Sequence, residues 1–182
     1  HCVHMSEHDL DLFKEKHLNI VTNPASNLKL ASGIAPIQAM LQRKINICLG
    51  TDGPASNNCL DMFREMFLVT GLAKYKNCDA SAVDAYEVLK MATVNGAKAL
   101  NLNCGVLEAG KLADLIILDL HQPNMQPIHN IAKNIVYSGS KSNVKCTMVN
   151  GKILYEDGHF HVGFEIETLY DEVQKRVERL MR

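Results

Sequence analysis

The sequence lacks a long apolar run, a surplus of either charge and any CxxC cysteine pair. A membrane-spanning helix needs about 18 or more consecutive apolar residues, so no membrane span is expected. Nucleic-acid-binding proteins usually carry a basic surplus, whereas the formal net charge here is −1. These absences argue against a membrane protein and a nucleic-acid binder.

What the 182 residues do contain is enough apolar material for a folded core. Apolar residues make up 47% of the chain and charged residues 21%, so disorder is not expected. The cysteines are scattered, and several lie in apolar runs: Cys2, Cys48, Cys59, Cys78, Cys104 and Cys146. This distribution favours reduced cysteines in a cytoplasmic protein over a disulfide framework.

The first hundred residues alternate between strand and helix patterns. The segments HCVHM, LNIVTNP and INICLG read as three strands with few polar residues, as in a buried parallel sheet. Ser6 and Asp9 form a capping-box pattern at the start of the first helix. A long loop is expected over 25–35, with Pro36 at the start of the next helix. A further helix is expected over 60–74, with an apolar side made of Met62, Met66, Phe67 and Thr70. Three such βα units cannot close a barrel, which takes eight.

The pattern changes in the second half. Two short helices are expected between Ser81 and Asn103, and β signals then dominate. LADLIILDL reads as a strand, and Asn150-Gly151 is the favoured turn pair of a hairpin. Apolar residues at three- and four-residue spacing predict a helix over 165–182. We therefore predict two domains, 1–103 and 104–182.

The candidate reactive groups follow the predicted strands, where parallel βα folds place their chemistry. They are His1 or His4 after the first strand, Asn23 after the second and Asp52 after the third. A carboxylate beyond a buried strand must be solvated, paired or metal-bound. Asp52 could therefore bind a metal and accept a proton from metal-bound water, or it could be an ordinary helix N-cap or turn residue. Lys29, on the long loop, could approach an anionic group or face solvent.

Five motifs occur together in one order: HCVHMSEHDL, NPASNLKLASGIAP, LGTDGPASNNCLDMFREM, MATVNGAKALNL and LEAGKLADLIILDL. They resemble the C-terminal part of the amidohydrolase superfamily, and most closely its 5′-methylthioadenosine/S-adenosylhomocysteine deaminases. The resemblance implies an α/β fold. The chain would supply about strands 6–8 of a TIM-like (β/α)8 metal-dependent hydrolase barrel, plus part of a small β-sandwich domain.

The resemblance also implies roles for individual residues. His1 matches a histidine that assists the hydrolytic water. Asp52 matches an aspartate that is a metal ligand, carries protons during the reaction and contacts the substrate. Ser56 matches a position lining the substrate pocket. The implied cofactor is a divalent metal, with zinc favoured over iron or manganese. The implied reaction is hydrolytic deamination, in which metal-bound hydroxide attacks C6 of an adenine ring and ammonia leaves.

Several family motifs would lie before residue 1, which is a histidine rather than methionine. They include the family's HxH pair, a further histidine and a glutamate. We therefore expect an incomplete metal-ligand set and an inactive chain on its own, which needs the missing N-terminal half or a second copy. A homo-oligomer is expected. The alternatives are a related amidohydrolase acting on guanine, cytosine or a chlorotriazine, and an inactive piece with a structural or interaction role.

Overall fold

The computed structural model describes residues 1–181, in which a two-stranded parallel sheet is followed by a four-stranded antiparallel sheet. The strands are β1 Asn19–Thr22, β2 Asn46–Leu49, β3 Leu115–Leu118, β4 Val144–Val149, β5 Lys152–Glu156 and β6 His159–Phe160. The helices are α1 Glu7–Glu15, α2 Pro24–Lys29, α3 Ile37–Gln42, α4 Met62–Asn77, α5 Ala85–Ala92, α6 Val94–Ala99, α7 Ile131–Ser138 and α8 Ile166–Leu180.

The described residues form two compact units. The first contains residues 1–111 and 120–143, and the second contains residues 112–119 and 144–181. The barrel and sandwich limits at residues 103 and 104 stay a prediction. Within residues 1–181, no helix is both long enough and apolar enough to cross a membrane.

The first unit is organised around the parallel pair β1 and β2. Asn19 lies opposite Asn46, and the register continues without a shift to Thr22 opposite Leu49. Ile20 and Ile47, at equivalent positions, are almost completely buried. The helices α4, α5 and α6 pack against β2, so the sheet and these helices share one core. This is the βα arrangement that the alternating pattern predicts.

Two local predictions for this unit are wrong. The segment HCVHM is not a strand, because Cys2 has a φ of +52° and leaves the extended region. The loop expected over 25–35 begins as helix α2, which Pro24 starts at its first turn. The Ser6–Asp9 capping box is confirmed, with both reciprocal hydrogen bonds present.

Helix α4 begins two residues later than the start predicted at residue 60 and continues to Asn77. Its expected apolar side is partly wrong: Met66 and Thr70 are buried, but Phe67 is 52% exposed. The same buried face contains an acidic residue, Glu65, with no measurable exposure.

The second unit is the antiparallel sheet β3-β4-β5-β6 with helix α8. The hairpin between β4 and β5 turns at Asn150 and Gly151, which have φ values of +48° and +76°. Positive φ at both central residues is what a type I′ turn requires, so the predicted hairpin is confirmed. The backbone N–H of Asn150 also donates to the carboxylate of Asp114 at 2.6 Å.

Candidate active site

The site begins where β1 and β2 end side by side. The hydrogen bond from Gly50 N to Thr22 O, 2.9 Å long, continues the pairing one step beyond the strands. The residues that follow, Asn23 after β1 and Asp52 after β2, therefore emerge at the same edge of the sheet. This edge is the carboxyl end of the strands, where parallel folds place reactive groups.

Gly50 makes room for the side chain of Asn23. A Cβ atom at Gly50 would lie 2.5 Å from Asn23 Oδ1 and 3.0 Å from a methyl carbon of Val21. Both distances are too short for ordinary packing, so a larger residue would displace the amide. The glycine that ends β2 thus allows the Asn23 side chain to lie across the strand end.

Asp52 is held by two serine hydroxyls from different segments. Ser26 Oγ, on α2, donates to Asp52 Oδ2 at 2.6 Å, and Ser56 Oγ donates to the same oxygen at 2.7 Å. The hydrogen bonds from Ser26, from Ser56 and from the backbone of Gly53 lower the pKa of Asp52 below its usual value. Asp61, and not Asp52, caps helix α4. The structure thus holds Asp52 as an ionised carboxylate at the sheet edge.

His1 lies beside this carboxylate. Its Nε2 atom is 3.6 Å from Asp52 Oδ2, and its Nδ1 atom is 2.7 Å from Asn27 Oδ1. The amide nitrogen of Asn23 is 3.5 Å from both ring nitrogens. When Nδ1 carries the proton that Asn27 accepts, the neutral ring presents a lone pair at Nε2, on the side of Asp52. The structure thus brings His1, Asp52 and Ser56 together, and His1 is exposed there, as His4 is.

Glu65, a buried carboxylate behind the site, was not among the residues predicted from the sequence. Its Oε2 accepts the backbone N–H of Ala25 at 3.0 Å, and its Oε1 accepts the side-chain amide of Asn57 at 2.7 Å. The same amide nitrogen also lies 2.8 Å from the carbonyl oxygen of Thr51. Burial raises the pKa of Glu65, and the hydrogen bonds from Ala25 and Asn57 oppose that rise. A signal existed: the helical period of α4 places Glu65 one turn before buried Val69, on the same face.

At the surface, Lys29 connects helix α2 to the loop that follows β2. Its ammonium group donates to the carbonyl oxygen of Ala55 at 2.9 Å and to Asn58 Oδ1 at 2.5 Å. The two partners are neutral oxygens in the loop after β2. Two interpretations were open for Lys29: a partner of an anionic group, or a side chain that faces solvent. The structure shows a different contact, in which Lys29 links α2 to the loop after β2.

A metal site would need more ligand side chains than the described residues bring together. Among residues 1–181, no cluster of three or more histidine, cysteine, aspartate or glutamate side chains is arranged to hold a metal ion. A catalytic zinc usually has three protein ligands. Asp52, a partly exposed and ionised carboxylate next to an imidazole, is suited to be one of them. The incomplete ligand set expected from the sequence stays a prediction.

A parallel βα segment with a carboxylate at the strand end, followed by an antiparallel sheet, is the kind of arrangement found in metal-dependent hydrolases of the barrel type. The model of the Amidohydrolase family matches residues 1–154. The chain therefore belongs to the Amidohydrolase family. The resemblance inferred from the five motifs is confirmed at the family level.

Relatives and a solved structure cover the whole chain. It is 45% identical over 184 residues to a 5-methylthioadenosine/S-adenosylhomocysteine deaminase of Caldanaerobacter subterraneus, and 45% identical over 181 residues to a 5′-deoxyadenosine deaminase of Methanosarcina mazei. A zinc-bound adenosine deaminase from Xanthomonas campestris superposes with a TM-score of 0.95 at 34% identity. In each case all of this chain is matched, but it spans only 42% of the other protein. The chain thus corresponds to the C-terminal part of the barrel enzymes, as predicted.

Proposed function

We propose that this chain is part of a hydrolytic deaminase of adenosine-type nucleosides, with S-adenosylhomocysteine, 5′-methylthioadenosine and 5′-deoxyadenosine as candidate substrates. The observation that carries the proposal is the ionised Asp52 carboxylate beside His1 at the strand ends. The names of relatives that are 45% identical across the chain support the substrate class.

We propose a divalent metal, zinc in particular, with Asp52 as one ligand. The zinc-bound solved relative supports the choice of metal. The other ligands would come from the part of the relatives' length that this chain does not span. When bound, a catalytic zinc lowers the pKa of a coordinated water to about 7, which makes that water a nucleophile near neutral pH.

The residues of the chain have separate tasks in this proposal. Asp52 accepts a proton from the attacking water and returns it as the amino group leaves, so that substrate and water yield the inosine analogue and ammonia. His1, held by Asn27 through Nδ1, presents Nε2 to the same region and orients the water by a hydrogen bond. Ser56 fixes Asp52 and lines the place where the purine ring would lie.

Three further parts of the interpretation stay predictions. They are a cytoplasmic location, a homo-oligomeric assembly and a need for residues beyond this chain to complete the site. A related amidohydrolase acting on guanine, cytosine or a chlorotriazine is the alternative enzyme. An inactive chain with a structural or interaction role is the alternative from another class.

The test is a substrate panel on the encoded protein, expressed with any residues that precede His1. We expect the ultraviolet change of adenine-to-hypoxanthine conversion, with one ammonia released per substrate, for the three adenosine-type compounds. Guanine, cytosine and a chlorotriazine would be assayed in parallel. Turnover of one of these alone would replace the proposed substrate class, and no turnover of any compound by zinc-loaded protein would favour the inactive alternative.

A further inference from the structure

Glu65 is the buried ionisable group that the proposed chemistry leaves without a task. It lies on α4, with no measurable exposure, behind the strand ends. A carboxylate in such a position is costly unless its oxygens accept hydrogen bonds. Both oxygens do so here, from Ala25 N–H and from the amide of Asn57. An apolar side chain of similar size would fill the same space without this cost. What the carboxylate adds is the two hydrogen bonds that it accepts.

The two partners of Glu65 are sequence neighbours of the two residues that hold Asp52. Ala25 directly precedes Ser26, and Asn57 directly follows Ser56. Ser26 and Ser56 both donate to Asp52 Oδ2, at 2.6 and 2.7 Å. One carboxylate therefore holds the backbone of α2 at Ala25 and a side chain of the loop after β2 at Asn57, each next to one of the serines.

We propose that Glu65 is a positioning residue for Asp52, which acts through Ala25–Ser26 on one side and Ser56–Asn57 on the other. It touches neither substrate nor metal. By holding the two segments at one distance, it keeps both serine hydroxyls aimed at the same carboxylate oxygen. The proposal rests on the role proposed for Asp52, but the structural link between Glu65 and the two serines can be tested without catalysis.

The informative variant is Glu65→Gln. Glutamine has the same shape, but one of its two terminal atoms is an NH2 donor. Because both partners of Glu65 are donors, one of them must then face another donor. We expect faster amide hydrogen exchange in segments 24–29 and 51–58, and weaker zinc binding in a chelator competition. A loss of roughly 10–100-fold in zinc affinity or kcat is typical when a group supporting a metal ligand is changed.

Thr70→Val is the matched control. Thr70 lies on the same helix and is equally buried, but its hydroxyl donates to the carbonyl oxygen of Val83 at 3.0 Å, away from the site. Valine removes that hydrogen bond at nearly constant shape. We expect a lower Tm with unchanged zinc affinity, kcat and exchange in the two site segments.

Asn57→Ala is the second variant if Glu65→Gln does not fold. It removes one arm, together with the hydrogen bonds of Asn57 to Thr51 O and from Cys59 N–H, and leaves the contact with Ala25. Faster exchange is therefore expected in segment 51–58 and not in 24–29. The measurements use the encoded protein with any residues that precede His1. The proposal is overturned if the folded variants lower Tm as Thr70→Val does but leave exchange in the site segments and zinc affinity unchanged. An inactive wild type would overturn the deaminase proposal alone, because exchange and zinc affinity would still report on Glu65.

Discussion

Ser26 donates a 2.6 Å hydrogen bond to Asp52 across the gap between the segments that follow two parallel strands. The two residues are 26 positions apart in the chain, and the in-register pairing of β1 and β2 brings them together. The carboxylate is thereby kept ionised and oriented by the protein's own groups. This pre-organisation suits the proposed role of Asp52, in which it binds a cation and exchanges a proton.

The first prediction concerns Asp52→Asn, which keeps the shape but removes the charge and the basic oxygen. If Asp52 accepts the proton of the attacking water, kcat should fall by roughly 10²–10⁴-fold, the usual range for a general base. The measurement is the deamination rate of the encoded protein with 5′-methylthioadenosine.

The control is Asp61→Asn, nine residues further along. Asp61 caps α4 by accepting the N–H of Phe63 at 2.9 Å, and asparagine is an equally good cap. This variant should keep both its Tm and its kcat. Equal losses of activity in the two variants would contradict a specific role for Asp52.

The second prediction concerns the pKa of Asp52 in metal-free protein. Ser26 is the largest cause that lowers this pKa and Ser56 the next, so Ser26→Ala should raise it more than Ser56→Ala. The measurement is a carbon-13 titration of the carboxyl group, with the exposed Ser142→Ala as control.

The sign of the stability effect follows from the direction of that shift. A carboxyl with a lowered pKa in the folded state contributes stability above its unfolded pKa, near 3.8, and loses it as the pH falls through the lower folded value. Ser26→Ala should reduce this contribution at neutral pH. An unchanged Asp52 pKa in both serine variants would mean that the hydroxyls do not favour the ionised form.

Features that depend on neighbouring residues were predictable from the sequence. The turn at Asn150-Gly151 and the Ser6–Asp9 capping box are set by a few adjacent side chains, and both are confirmed. The position of Asp52 at a strand end was also predictable, because an apolar run that ends in glycine marks the strand. The roles of His1, Asp52 and Ser56 themselves stay predictions until the experiments are made.

Features that depend on tertiary contacts were not predictable in this way. Glu65 and Ala25 are 40 residues apart, and no local pattern announces their hydrogen bond. Ser26 lies in the segment predicted as a loop, yet the structure has helix α2 there, in contact with α4. Phe67 was expected to be buried because it is apolar and lies next to Met66 on the predicted apolar side, but it faces solvent.

The third prediction compares two glycines. Gly50→Ala should destabilise the protein by about 1–3 kcal/mol, the usual cost of overpacking, because the new methyl group would displace the Asn23 amide. Gly71→Ala is the control, since nothing lies within 4 Å of a Cβ there and the residue is in the interior of α4.

Alanine in an exposed helix interior stabilises by about 0.5–1 kcal/mol relative to glycine, so the two variants should shift the free energy of unfolding in opposite directions. Denaturant unfolding of the encoded protein measures both. A Gly50→Ala protein as stable as wild type would show that the strand end can accept the extra atom without moving Asn23.

The last prediction concerns the start of α1, where Asp9 accepts the hydroxyl of Ser6 at 2.7 Å and its backbone N–H at 2.8 Å. These two bonds, the side-chain bond first, lower the pKa of Asp9. The capping box should therefore stabilise α1 above a pH near the ordinary value of 3.8 and lose that effect as the pH falls through the lower folded pKa.

Asp9→Asn should remove this pH dependence, whereas Glu15→Gln, at the other end of the helix, should keep it. Carbon-13 titration of Asp9 and hydrogen exchange of residues 7–10 in acid are the measurements. An Asp9 carboxyl that titrates at or above 3.8 would contradict the reciprocal hydrogen bonding.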